Sequence, residues 1–97
     1  MSEPSASRTV VVTNEEGVHA RAATMIAELA RRFEAKVLLT KNSERVEATD
    51  VMQILLLGAG QGEQVLIEAV GTDAEEVLEA LVRLFAENFN ENTENTK

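Results

Sequence analysis

Two hydropathy periods alternate along this chain, and the switches between them mark its elements. Thr9, Val10, Val11, Val12 and Thr13 form a β-branched run that predicts a strand over residues 8–13. Asn14, Glu15, Glu16 and Gly17 predict a loop. The apolar positions then fall at Ala22, Ile26, Leu29, Ala30 and Phe33, one stripe of an amphipathic helix, with Glu28, Arg31 and Arg32 on its outer side. Lys36–Lys41 predicts a second strand, Asn42 and Ser43 a turn, and residues 45–48 a third strand that pairs back. Asp50 is a favourable N-cap for a short helix over Val51–Leu57, which Gly58 would end. Gln64–Val70 alternates and predicts a fourth strand. Gly71, Thr72 and Asp73 turn the chain and cap a last helix whose apolar face is Ala74, Val77, Leu78, Leu81, Val82 and Phe85. Glu75 and Glu76 in its first turn complement the helix dipole. The order β-α-β-β-α-β-α predicts an α+β layer, with helices packed on one face of an antiparallel sheet.

The ends differ in composition from the middle. Residues 1–7 are small and polar and predict a flexible N-terminus. Residues 89–97, rich in Asn, Glu and Thr, predict a disordered tail. A single domain is therefore expected over residues 8–88, and 97 residues leave no room for two cores. With neither Trp nor Tyr, its packing must be largely aliphatic.

Charge narrows the partners. Seventeen acidic residues against nine basic ones give a net charge of −8. Nucleic-acid binding draws on Lys and Arg that neutralise phosphates, so this balance argues against such a partner and equally against anionic membranes. It suits docking on other proteins. The chain has no Cys, which removes disulfides, thiolate metal sites and thiol catalysis together. No apolar run approaches the roughly 18 residues of a membrane span, and the N-terminus does not read as a secretion signal. A cytoplasmic protein without membrane insertion is expected. Neither a metal nor a cofactor is expected either, because no second histidine or carboxylate cluster accompanies His19. Gly58, Gly60 and Gly62 resemble a nucleotide loop only superficially, since they follow a helix and open a strand, the reverse of the phosphate-binding order.

His19 is the residue that departs from local rules. It falls at the start of the first helix, where Ser, Thr, Asp or Asn would be the ordinary choice. The free amides and dipole of a helix start favour a bound anion and a neutral, nucleophilic imidazole. Arg21 brings a planar guanidinium to the same turn, suited to a phosphate. Gly17 relaxes the backbone on the approach.

The run Gly17-Val18-His19-Ala20-Arg21-Ala22-Ala23 resembles the active-site signature of the HPr family, the histidine phosphocarriers of the phosphoenolpyruvate:sugar phosphotransferase system. The downstream run from Asp50 to Gly58, with Gly60, Gln61 and Gly62 after it, is similar to that family's second helix and following turn. The resemblance implies an open-faced β-sandwich, a four-stranded antiparallel sheet covered on one face by three helices. It implies that His19 takes a phosphoryl group on Nδ1 from phosphorylated enzyme I and passes it to a sugar-specific enzyme II. Arg21 would steady the group, with the backbone of Ala20 and Arg21. Val51, Met52 and Leu55 would form the docking patch. Such a protein is a bacterial stoichiometric carrier rather than an enzyme, and is expected to be monomeric.

Three positions depart from the family pattern. Ala22 stands where Pro is usual, Glu16 where Asn or Ser is frequent, and Asp50 where many relatives carry a regulatory serine. A carboxylate at Glu16 is expected to oppose an incoming phosphoryl group. These departures motivate an alternative, a regulatory HPr-like protein that acts through partner binding and regulatory proteins rather than sugar transport. A small-molecule-binding domain of ferredoxin-like shape would share the layering but would not need Gly17, His19 and Arg21 at this spacing.

Overall fold

The computed structural model describes residues 3–90. The elements run β1 (Ser5–Val11), α1 (Ala20–Arg31), β2 (Lys36–Lys41), β3 (Glu44–Glu47), α2 (Val51–Leu57), β4 (Gln64–Val70), α3 (Ala74–Ala86), and a single 3-10 turn at Asn88–Asn90. The four strands form one sheet in the order β1-β4-β2-β3, and every pairing is antiparallel. The open-faced α+β arrangement expected from the resemblance is the one observed.

Alternation decides which face of the sheet is covered. Val65, Ile67 and Ala69 of β4 are buried, as are Val37 and Leu39 of β2. Leu39 and Arg8 flank Ile67 in register, from β2 and β1 respectively. α3 lies against β1 and β4, while α1 packs on α2 and α3. α1 turns Ala22, Ala23, Ile26, Ala27 and Ala30 inward. Four of those five are alanines, whose small side chains let the helix backbone approach its neighbours closely. Burial of these faces, rather than intrinsic propensity, supplies most of the helices' stability.

The boundaries differ from expectation at both ends. β1 begins at Ser5, not at residue 8, and stops before Thr13. Ser5, Ala6 and Ser7 have weak strand propensity, but Val70, Ala69 and Glu68 of β4 pair with them, and the Pro4 carbonyl accepts the Gly71 amide at 2.8 Å. Residues 5–7 are therefore part of the sheet, and residues 1–2 of the expected flexible terminus lie outside the described residues. β3 starts one residue earlier than the expected 45–48, and Ala48 is buried behind it.

At the C-terminal end the domain continues past residue 88. Phe89 is fully buried and meets Phe85 edge-on, with ring centroids 4.9 Å apart. Reaching that position puts Asn88, Phe89 and Asn90 all at positive φ. One aromatic in an otherwise polar run was enough to anchor the turn. The remainder of the expected tail, residues 91–97, lies outside the described residues. Asp73 also behaves differently from its reading as a cap. Its carboxylate accepts the Glu34 amide at 2.8 Å and makes no cap bond to α3.

Candidate functional site

The site is built where α1 begins. His19 is the N-cap of α1, with extended backbone (φ −89°, ψ −174°), and its Nδ1 accepts the Ala22 amide at 3.3 Å. An atom that accepts from an N–H presents a lone pair, so this bond assigns Nδ1 as the unprotonated nitrogen. On the other side of the ring, Nε2 lies 3.7 Å from Oε1 of Glu16, which favours the proton on Nε2. The Ala22 bond turns the Nδ1 lone pair toward the helix start, and the nearby carboxylate of Glu16 favours electrostatically the tautomer with its proton on Nε2. The histidine side chain is 25% exposed, so a reacting group can reach it.

The amides of Ala20 and Arg21 lie in the first turn and have no acceptor within the helix. With the Ala22 amide they give one cluster of donors at the positive end of the helix dipole. Ala20 and Arg21 are both exposed there. His19, Ala20 and Arg21 thus occupy the N-cap and the first two positions of α1. Ala22, in place of the usual Pro, is buried and does not disturb the helix start. Glu16 does lie beside His19, but against Nε2 rather than Nδ1, away from the donor cluster.

The loop that carries His19 is held from below. Gly17 has φ +68°, and a Cβ there would sit 2.7 Å from the Ala59 carbonyl oxygen and 2.9 Å from Gly60 Cα. Only glycine fits such a position without strain. The next amide, that of Val18, donates to the same Ala59 carbonyl at 2.9 Å. Asn14, buried in the loop, donates from Nδ2 to the Gly17 carbonyl at 2.7 Å. Asn14 falls in the expected loop, and an Asn ahead of Gly in a turn is the sequence signal of such a side-chain bond.

α2 runs back toward the site. Its approach is tied to the end of α1, where Arg31 donates to the Thr49 carbonyl at 2.7 Å. Its exit, through Gly58 in the left-handed conformation, leads to Ala59 beside Val18. The outward ridge of α2 is Met52 and Leu56, 65% and 77% exposed. Of the three expected patch residues, Met52 is on that ridge, while Val51 and Leu55 are half-buried. Leu56, four residues after Met52, shares that ridge and lies outside the expected three. Asp50 caps α2, its Oδ1 accepting the Gln53 amide at 3.1 Å. Among the described residues no group of three or more potential ligands is placed to hold a metal, and no helix is long and apolar enough to cross a membrane.

A helix-capping histidine on a four-stranded open-faced sandwich defines a class, and comparison with known proteins agrees. The family model described as the PTS HPr component phosphorylation site matches residues 6–87. The chain is 42% identical over 86 residues to the phosphocarrier protein NPr of Escherichia coli strain K12, covering 87% of this chain and 94% of the relative. It is 36% identical over 84 residues to the phosphocarrier protein HPr of Cupriavidus necator, with coverage of 87% and 94%. The crystal structure of HPr-C-His from Thermoanaerobacter tengcongensis superposes with a TM-score of 0.86 at 34% identity, covering 91% of this chain and 99% of that one. The chain belongs to the HPr family, the phosphocarriers of the phosphotransferase system.

Proposed function

We propose that this protein is a stoichiometric phosphoryl carrier that accepts the group on Nδ1 of His19 from phosphorylated enzyme I and donates it to an enzyme II. The observation that carries this reading is the paired contact of the imidazole, Nδ1 to the Ala22 amide and Nε2 to Glu16. In the acceptor step the Nδ1 lone pair forms a bond to phosphorus as the donor's bond to the phosphoryl group breaks. The ring becomes an Nδ1-phosphoryl imidazolium that keeps its proton on Nε2. Glu16 then faces the new positive charge, so its carboxylate assists the ring while opposing the phosphoryl group only at longer range. The Ala22 amide exchanges a nitrogen acceptor for a phosphoryl oxygen, and the amides of Ala20 and Arg21 with the Arg21 guanidinium complete the donor set. Because the group is taken up and handed on, the protein alone turns nothing over.

Docking falls to the Met52–Leu56 ridge with Val51 and Leu55 beneath it. A monomer working in the cytoplasm fits this role. A second reading, regulation through partner binding, is favoured by one observation: a permanent carboxylate, Asp50, stands at the start of the docking helix.

Enzyme I and phosphoenolpyruvate should add one acid-labile, base-stable phosphoryl group to His19, seen by intact mass and phosphorus NMR. Arg21→Ala should slow that addition and shorten the lifetime of the adduct. A chain left unmodified by an enzyme I that phosphorylates a control carrier would overturn the reading.

A further inference from the structure

The turn beneath His19 is clamped from outside by two side chains that have no part in the chemistry described above. Lys41, at the end of β2, donates from Nζ to the Gly58 carbonyl at 3.1 Å and to Oε1 of Glu63 at 3.2 Å. The same Glu63 oxygen accepts the Gly60 amide at 2.7 Å. One carbonyl and one amide on either side of Ala59 are thereby fixed, and Ala59 itself is buried. Its carbonyl is the atom that receives the Val18 amide and against which Gly17 packs. The turn is also laced to the other end of the loop. The Val12 amide donates to the Glu63 carbonyl at 2.9 Å, the Gly62 amide to the Val12 carbonyl at 2.7 Å, and Gln61 Nε2 to the Thr13 carbonyl at 3.2 Å. The Gly60 amide and then the Lys41 ammonium hold the Glu63 carboxyl below the usual carboxylate range, as a loaded contact should.

We propose that Lys41 and Glu63 are positioning residues for phosphoryl transfer: acting through Gly58, Gly60 and the Ala59 carbonyl, they fix Gly17 and Val18 and so set the imidazole of His19 against the start of α1. This deepens the carrier reading and rests on it for the rate effect, but not for the geometry. The Lys41 side chain is 17% exposed and that of Glu63 45%, so the pair lies at the rim of the fold with one partner open to solvent, where an ion pair contributes little to stability. Their effect is therefore on placement. Small displacements of a reacting group are costly, because reactivity depends on a near-attack arrangement.

The experiment compares the wild type with Glu63→Ala, Lys41→Met, the double variant, Glu63→Gln and Val77→Ala. Readouts are the nitrogen shifts of the His19 ring, exchange of the Val18 amide, the thermal midpoint, and acceptance from enzyme I resolved into kcat and KM. Glu63→Ala and Lys41→Met should each lower kcat by roughly tenfold, with KM little changed. The double variant should be no worse than either alone, since the pair acts as a unit. Glu63→Gln keeps an oxygen for the Gly60 amide and should restore most of kcat. In all the impaired variants the ring shifts should move and Val18 exchange should quicken. Val77→Ala opens a cavity at the far, N-terminal end of α3, so it should lower the midpoint more than they do yet leave kcat and the ring shifts alone. Unmoved ring shifts in Glu63→Ala and Lys41→Met, or a kcat loss that merely follows the midpoint across all variants, would overturn the proposal. A wild type that accepts no phosphoryl group would sink the carrier reading alone, and the ring shifts and Val18 exchange would still decide whether the clamp positions His19.

Discussion

α1 and α2 both begin with a side chain that caps the first turn, and the two caps are made differently. Asp50 spends both oxygens on Gln53: Oδ1 on its amide at 3.1 Å and Oδ2 on its Nε2 at 3.3 Å. Gln53 in turn accepts the Glu47 amide on Oε1 at 3.0 Å, which ties the start of α2 to the end of β3. His19 caps with a ring nitrogen that accepts the Ala22 amide at 3.3 Å, and the amides of Ala20 and Arg21 have no acceptor in the helix. The amides of Val51 and Met52 likewise have no acceptor in their helix, but the group that caps that helix is a carboxylate, whose charge repels an anion. The first helix start is left able to receive an anion. A residue type that caps weakly, at the start of a helix that alanine packing holds in place, exchanges local stability for a reactive nitrogen.

The largest test of that contrast removes the nucleophile and improves the cap. His19→Asn should abolish phosphoryl acceptance while the thermal midpoint stays level or rises, because Asn is a strong N-cap, worth about 1 kcal/mol over a poor one. Thermal unfolding beside a transfer assay measures both. A midpoint that collapses would show that the histidine holds the fold, and the two helix starts would then not differ in kind.

The next test attacks the floor of the first site and spares the second. Gly17→Ala places a Cβ 2.7 Å from the Ala59 oxygen at a backbone φ of +68°. Strain in the left-handed region plus displacement of a backbone atom should cost about 2–3 kcal/mol. Transfer should fall further than stability does, because the loop rises and carries His19 with it. Amide shifts should change around Val18 and Ala59 and stay constant around Asp50 and Gln53. Equal disturbance at both helix starts would mean that the molecule yields as a whole.

Much of this contrast is legible in the sequence. Lys36–Lys41, Val51–Leu57 and Gln64–Val70 come out with the bounds that hydropathy period and punctuation predict. His19 and Asp50 fall at the N-caps because the periodic runs start just after them. What could not be read is what depends on partners distant in the chain. Ser5 to Ser7 join the sheet through β4, more than fifty residues away. Phe89 is drawn into the core by Phe85, although polar neighbours hide it in any averaged window. Lys41 and Glu63 look like ordinary surface charges until folding places them on either side of Gly58 and Gly60. Leu56, by contrast, was readable: its spacing from Met52 puts it on the outer ridge, while Ile54 and Leu57 turn inward. Chemistry carried by a short contiguous motif is visible in one dimension. The scaffold that aims it is assembled from separate segments and is not.

The smallest expected effect concerns the charge of the second cap. Asp50 is half-buried and directs both oxygens back to its own helix, so its charge reaches a docking partner only in part. It lacks a hydroxyl, so a serine kinase has nothing to modify at this position. If the carboxylate also imitates a phosphoserine, removing it should tighten enzyme I binding. A single negative charge against nearly two for phosphoserine limits the gain to about threefold, near 0.6 kcal/mol. Asp50→Ser and Asp50→Asn separate charge from capping. Asn keeps an oxygen for the Gln53 amide but presents an NH2 to Gln53 Nε2, losing the second contact and a few tenths of a kcal/mol of stability. Ser keeps the cap alone. Asp50→Ala loses both and should cost about 1 kcal/mol, read as a lower thermal midpoint. Calorimetric affinities for enzyme I should then rise together in the Asn and Ser variants despite their different capping. Affinities equal to the wild type in both would reduce Asp50 to a helix cap and remove the observation that favours a regulatory role.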